Sequence, residues 1–334
     1  MKALAGLVAV LLALIAVPRP AAAQSSHLLV IVGLAGEPAI ADEFHRWAST
    51  IIDAARQRYG LPAESVIYLG EDPARDALRI TDRSTSANIQ ASVEKLVARA
   101  RPGDRVFIVL IGHGAAAAGA PRFNLPGPDL AAKDFAALLD RFTAQSVTLV
   151  NTASASGGFV ATLSGRDRTI ITATRTDGER NQARFGEFFA EALGGTDGDI
   201  DKDGRVSMLE AFTWARRRVE ESYKKEGQLL TEHAMLDDDG DGKGSDALDK
   251  PGGDGALART QFLAAASAEP ASAESIADPA LRQLYTERRA LEDAIASLKA
   301  GKGKMDESEY ARELERLLVE LARKSREIRE KEKK

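Results

Sequence analysis

Short apolar, β-branched runs alternate along this chain with segments whose apolar residues recur at helical spacing. His27 to Val32, "HLLVIV", predicts a buried first strand. Residues 39–60 follow, with Phe44, Trp47, Ile51, Ile52 and Ala55 on one helical face and Gly60 closing the helix. Strands are predicted again at 65–70, 105–114, 146–158 and 168–175. Helices are predicted at 86–100, where Ile89, Val93, Leu96 and Val97 share a face, and at 133–142 and 184–193. Most of the strands are apolar on both faces, so the expected fold class is α/β, a mainly parallel sheet flanked by helices on both sides. Ligands bind such sheets beyond the carboxyl ends of the strands. Two of those ends carry candidate chemistry, Gly112-His113-Gly114 and Asn151 to Gly158.

The pattern changes at both ends of the chain. Residues 1–23 read as a signal peptide: Lys2 is the positive start, Leu4 to Val17 the apolar core, and Ala21-Ala22-Ala23 before Gln24 the cleavage site. The main domain is expected over 24–262, an Ala/Ser/Pro linker over 263–279, and an antiparallel helical hairpin over 280–334. Leu284, Leu291, Ile295 and Leu298 mark one seam of the hairpin, and Leu314, Leu317, Leu321 and Ile328 the other. Self-association through this hairpin is one expectation, packing within the chain the other.

Composition narrows the classes. The net charge of −5 argues against a nucleic-acid partner, which needs a basic footprint. No segment after the leader is long and apolar enough to span a membrane, so the mature chain reads as exported, periplasmic or secreted. The chain has no cysteine, which excludes disulfides, thiolate metal sites and a cysteine nucleophile.

That last exclusion matters because "FIVLIGHG" followed by "VTLVNTASASGGF" resembles the caspase and legumain clan of cysteine peptidases. In that clan one apolar strand ends in His-Gly, and the next ends in Ala-Cys-x-Ser-Gly. The resemblance covers roughly residues 27–225 and implies a caspase-like α/β/α sandwich. It implies that His113 is the base, that the Gly114 N–H helps to hold the oxyanion, and that Ser154 stands where the catalytic cysteine belongs. Thr152 takes the place often held by an acidic residue. A thiol is partly ionised near neutral pH, whereas a serine needs a close, oriented base. The expected function is therefore a catalytically weak or inactive peptidase fold that binds a peptide or protein. An active serine-dependent peptidase or amidase using Ser154 and His113 stands beside it, as does a calcium-stabilised structural protein of the cell envelope.

Calcium enters through "DIDKDGRVSMLE", residues 199–210. Asp199, Asp201 and Asp203 at positions 1, 3 and 5, Gly204 at 6, Ser207 at 9 and Glu210 at 12 make an EF-hand-type loop. Arg205 would lend its backbone carbonyl, and Ser207 would bind directly or through water. The acidic loop 236–249 is a weaker echo in which Asp237, Asp239 and Asp241 keep the alternation. Position 12 there is Leu248, so the loop reads either as a second Ca²⁺ site completed by Asp246 or Asp249 or as a flexible acidic turn.

Overall fold

The computed structural model describes residues 24–117, 119–201, 204–246, 248, 253–264, 278–300 and 305–332. The expected leader, Asp203, Asp249 and nearly all of the expected linker lie outside these residues.

β1 (Ser26–Val32) is buried along its whole length, and its side chains alternate between two cores. Leu28, Val30 and Val32 point into one core, Leu29 and Ile31 into the other. Period-two alternation with both faces covered is what a continuous apolar run encodes. Around β1 the chain builds a seven-stranded sheet with β2 (Val66–Gly70), β3 (Asp82–Arg83), β4 (Arg105–Ile111), β8 (Ser146–Asn151), β9 (Arg168–Thr172) and β10 (Met235–Asp237). The order is β10-β9-β8-β4-β1-β2-β3, parallel except where β10 runs against β9.

α1 (Pro38–Asp53), α5 (Phe185–Gly194) and α6 (Met208–Lys225) cover one face, with Phe44, Trp47, Phe189 and Phe212 buried there. The opposite face carries α2 (Ser86–Arg99), α3 (Ala132–Leu139) and α4 (Phe159–Leu163). The α/β/α sandwich is thus the observed architecture. The chain moves outward from β1 to β3 and then returns to place β4 on the other side of β1. The strand order reverses between β1 and β4, and such folds bind ligands beyond the carboxyl ends at that point, which β4 borders with β8 as its neighbour.

Some boundaries differ from the sequence reading. The fourth strand stops at Asn151 and the fifth at Thr172, because the residues that follow turn back on each other. A small antiparallel sheet of β5 (Gly114–Ala117), β6 (Ala120–Phe123) and β7 (Leu130–Ala131), which the periodicity does not announce, follows His113 directly. The acidic loop begins as an edge strand: Leu236 and Asp237 pair with Ile171 and Ile170. The main domain runs on past 262, with Leu263 buried and the Ala264 N–H donating to Ser26 Oγ at 3.2 Å.

α7 (Pro279–Ala300) and α8 (Glu307–Glu332) make up the C-terminal region. Lys331 pairs with Asp278 at 3.3 Å and Lys324 with Glu287 at 2.7 Å, so the end of one helix meets the start of the other. Ile295, Leu317 and Ile328 are buried. Among the described residues no helix is long and apolar enough to cross a membrane.

Candidate active site

The parallel ladder brings the two turns together: β4 and β8 are hydrogen-bonded neighbours, with Leu110 opposite Asn151. His113 follows β4. Its carbonyl accepts the Asn124 N–H at 3.0 Å, and its half-buried ring lies edge-on to Phe44, with centroids 5.2 Å apart. Gly114 is required by crowding, since a Cβ there would sit 2.3 Å from the Ser154 carbonyl oxygen. Its N–H donates to Ser154 Oγ at 3.5 Å, a long and weak contact.

The turn after β8 is a closed network. Thr152 donates to the Leu110 carbonyl from both its N–H and its hydroxyl, each at 2.9 Å. Asn151 Oδ1 takes the Ala153 N–H at 3.1 Å, and the Glu179 carbonyl takes the Ala155 N–H at 2.8 Å. Thr174 Oγ1 accepts both the Ser156 and the Gly157 N–H, at 2.8 and 3.0 Å, and Asp177 accepts that of Gly158 at 2.8 Å. The Ser-Gly-Gly sequence suggests glycine's freedom at positive φ, but the left-handed residue is Ala155, at φ 51°. A non-glycine residue there stores about 1–3 kcal/mol of strain. The glycines serve close approach: a Cβ on Gly157 would meet the Arg175 backbone at 2.3 Å, and one on Gly158 would meet the Asp177 carboxylate at 2.7 Å.

Ser154 is 3% exposed. Its hydroxyl faces the Gly114 N–H, and no hydrogen bond joins it to the His113 ring. The imidazole packs on Phe44, and among the described residues no carboxylate orients it. The geometry keeps an oxyanion-type donor and a shaped turn, and it leaves the alcohol without an engaged base.

The segment after β9, which the periodicity predicts as no more than the end of a strand, is joined to the turn through the Glu179 carbonyl. Glu179 accepts the Arg175 N–H at 3.0 Å and the His233 N–H at 3.0 Å, and it pairs with His233 Nδ1 at 2.8 Å. The signal available was "TATRTDGE", a third cluster of small and polar residues at a strand's carboxyl end on the same rim. One residue before His233, Glu232 is 4% exposed and caps α5, accepting the Arg184 and Phe185 N–H groups at 2.8 Å each. Burial pushes its carboxyl up to about 7 against the pull of those amides.

In the first acidic loop, Asp199, Asp201 and Glu210 bring carboxylate oxygens within 4.8 Å of one another. Gly204 turns at φ 88° and donates its N–H to Asp199 Oδ2 at 2.9 Å. Glu210 Oε1 accepts the Ile200 and Asp201 N–H groups, and Oε2 accepts the Ser207 hydroxyl at 2.8 Å. Ser207 Oγ in turn accepts the Glu210 N–H at 3.2 Å while Glu210 Oε2 accepts the Ser207 N–H at 2.8 Å, which makes Ser207 the N-cap of α6 in a capping box. The Arg205 guanidinium stacks 3.9 Å over Phe262. Three converging oxygens on an acid-rich turn fit a hard cation. In the second loop, Asp237 and Asp239 group with Asp254, a residue the sequence reading did not name. Asp241 stands outside that group, accepting the Lys243 N–H at 2.7 Å.

Residues 82–236 match the model of the Peptidase C13 family, a span running from β3 to β10 and containing both turns of the site. No curated protein matches the chain.

Proposed function

We propose that this chain, a caspase/legumain-like protein whose residues 82–236 carry the peptidase C13 fold, binds a peptide or protein segment in its crevice and cleaves it weakly or not at all. The observation that carries this reading is the Ser154 hydroxyl, which meets the Gly114 N–H at 3.5 Å and makes no hydrogen bond to His113. An alcohol needs its proton taken during attack, and here neither a base nor a group that orients the base is engaged. Oxyanion donors alone are worth about 10²–10³ in rate. The polar side chains of Asp177, Glu179 and Arg175 beyond β9 supply hydrogen-bonding groups for an extended segment, since the amides of the turn already have partners.

A serine-dependent peptidase or amidase is the second reading, and the left-handed Ala155 favours it, since strain beside a nucleophile is a device of working sites. A serine-directed fluorophosphonate decides between them. The first reading expects no labelling that depends on Ser154, and labelling that disappears in Ser154→Ala establishes the second.

The first acidic loop would hold a Ca²⁺ ion through Asp199, Asp201 and Glu210, whose oxygens converge. It would fasten the start of α6, on the core face opposite α4, as a structural ion. Export follows from the leader pattern of residues 1–23, and mass spectrometry of the mature chain should find Gln24 at its start.

A further inference from the structure

The second acidic group has a property that the first lacks. Asp237 ends β10 and is 1% exposed. Its Oδ1 accepts the Gly240 N–H at 3.2 Å, while its Oδ2 is buried with no hydrogen-bond partner. The carboxylates of Asp239 and Asp254 join it, with one oxygen from each of the three within 4.8 Å of the others. Backbone N–H groups donate to the other two, Asp238 to Asp254 Oδ1 and Asp241 to Asp239 Oδ1, each at 3.0 Å, and the Ser164 hydroxyl lies beside the Asp237 carboxylate as a neutral side-chain neighbour. Among the described residues no cationic side chain pairs with the three; Lys243 is turned to Asp241, 3.9 Å away. A buried charged oxygen without a partner is costly, and gathering three carboxylates adds repulsion. A divalent cation answers both, and an all-oxygen set without histidine or cysteine selects a hard ion.

The geometry points to a second Ca²⁺ site built by Asp237, Asp239 and Asp254. This departs from the motif, which would place Asp241 in the shell. Asp254 comes instead from beyond the loop, brought in as the Asp238 carboxylate gathers the Gly255 and Ala258 N–H groups at 2.9 and 2.7 Å. The ion would therefore join the sheet edge to the last segment of the main domain. The same loop is tied to the crevice. Gly242 donates to Ser164 Oγ, at the end of α4, at 3.0 Å, and Asp246 pairs with Arg175 on the rim at 2.9 Å. The site is independent of whether Ser154 reacts and of the first loop's ion.

Calorimetric titration of the full chain with CaCl₂, after stripping with chelator, tests it. Asp254→Asn should remove one binding event that Glu210→Gln leaves in place, and Asp241→Asn should remove none. Binding that is lost in Glu210→Gln and untouched by Asp254→Asn would leave the first loop standing and overturn the second site. A wild type without any binding would overturn both. Thermal melting covers the chance that Asp254→Asn harms the fold. In chelator the variant should melt no lower than wild type and should lose only part of the calcium-induced rise. An equal drop with and without Ca²⁺ would mark Asp254 as structural and overturn the proposal.

Discussion

The turn after β8, beyond the carboxyl end of an inner strand, and the flank built on β10, at the sheet's edge, are both polar and buried, yet they are finished differently. In the turn, the N–H groups of Ala153, Ala155, Ser156, Gly157 and Gly158 all have partners, and the reacting atom alone is weak. On the flank, Glu232 has both oxygens capped by amides, while five residues later Asp237 keeps an oxygen with none. The difference teaches where each region can gain function. The turn holds an alcohol where a stronger nucleophile could stand, and the flank holds a buried carboxylate oxygen with no donor beside it.

The largest effect should come from restoring sulfur to the turn. Ser154→Cys is expected to raise cleavage of peptide substrates by about 10²-fold or more, because a thiol is already partly ionised near neutral pH and His113 can favour its thiolate without the close contact an alcohol requires. His113→Ala in that background should remove the gain, as read in a fluorogenic peptide assay. If Ser154→Cys stays silent, the turn is not the finished half of the comparison.

On the flank, Glu232 gives a pH signature. Its folded value of about 7 lies above the ordinary 4.5, so the native state holds the proton more tightly than the unfolded chain. Stability should therefore fall as pH rises from 4.5 toward 7, by about 3 kcal/mol from this group. Melting curves of Glu232→Gln should lose that slope whatever their baseline. An unchanged slope would mean that the amide caps, and not burial, decide its charge.

Close approach in the turn predicts that Gly157→Ala costs about 2–3 kcal/mol, since the new Cβ meets the Arg175 backbone. Chemical denaturation measures it, and a neutral result would show the turn to be looser than its hydrogen bonds imply. The smallest effect belongs to the first acidic loop. At free Ca²⁺ ten times the dissociation constant, binding should add about 1.4 kcal/mol, and Asp199→Asn, which keeps an acceptor for the Gly204 N–H, should abolish that increment while melting close to wild type in chelator. Equal wild-type stability with and without chelator would remove the ion from this loop.

Much of this was legible in the chain. Continuous apolar runs such as "HLLVIV" and "RVFIVLI" can be strands only when both faces are covered, so they specify the parallel sandwich without tertiary information. The His-Gly and Ser-Gly-Gly turns were equally plain, because a strand that stops being apolar marks its own carboxyl end. Ala155, Glu179, His233 and Asp254 were not. Their importance lies in which distant backbone they meet, and no local periodicity encodes that. The acidic motifs show the limit most clearly, since spacing ranked the 199–210 loop first and singled out Asp241 in the second.

What the sequence determined by itself is the main parallel strands and their helices, the pair of turns and the replacement of a thiol by an alcohol. These follow from side-chain chemistry and short-range pattern. Only the tertiary structure decided that the Ser154 hydroxyl faces the Gly114 N–H and not His113, and that Asp254 joins Asp237 and not Asp241. Hydrogen bonds and charge clusters act over a few ångströms, and in a folded chain those distances are set by contacts between residues far apart in sequence.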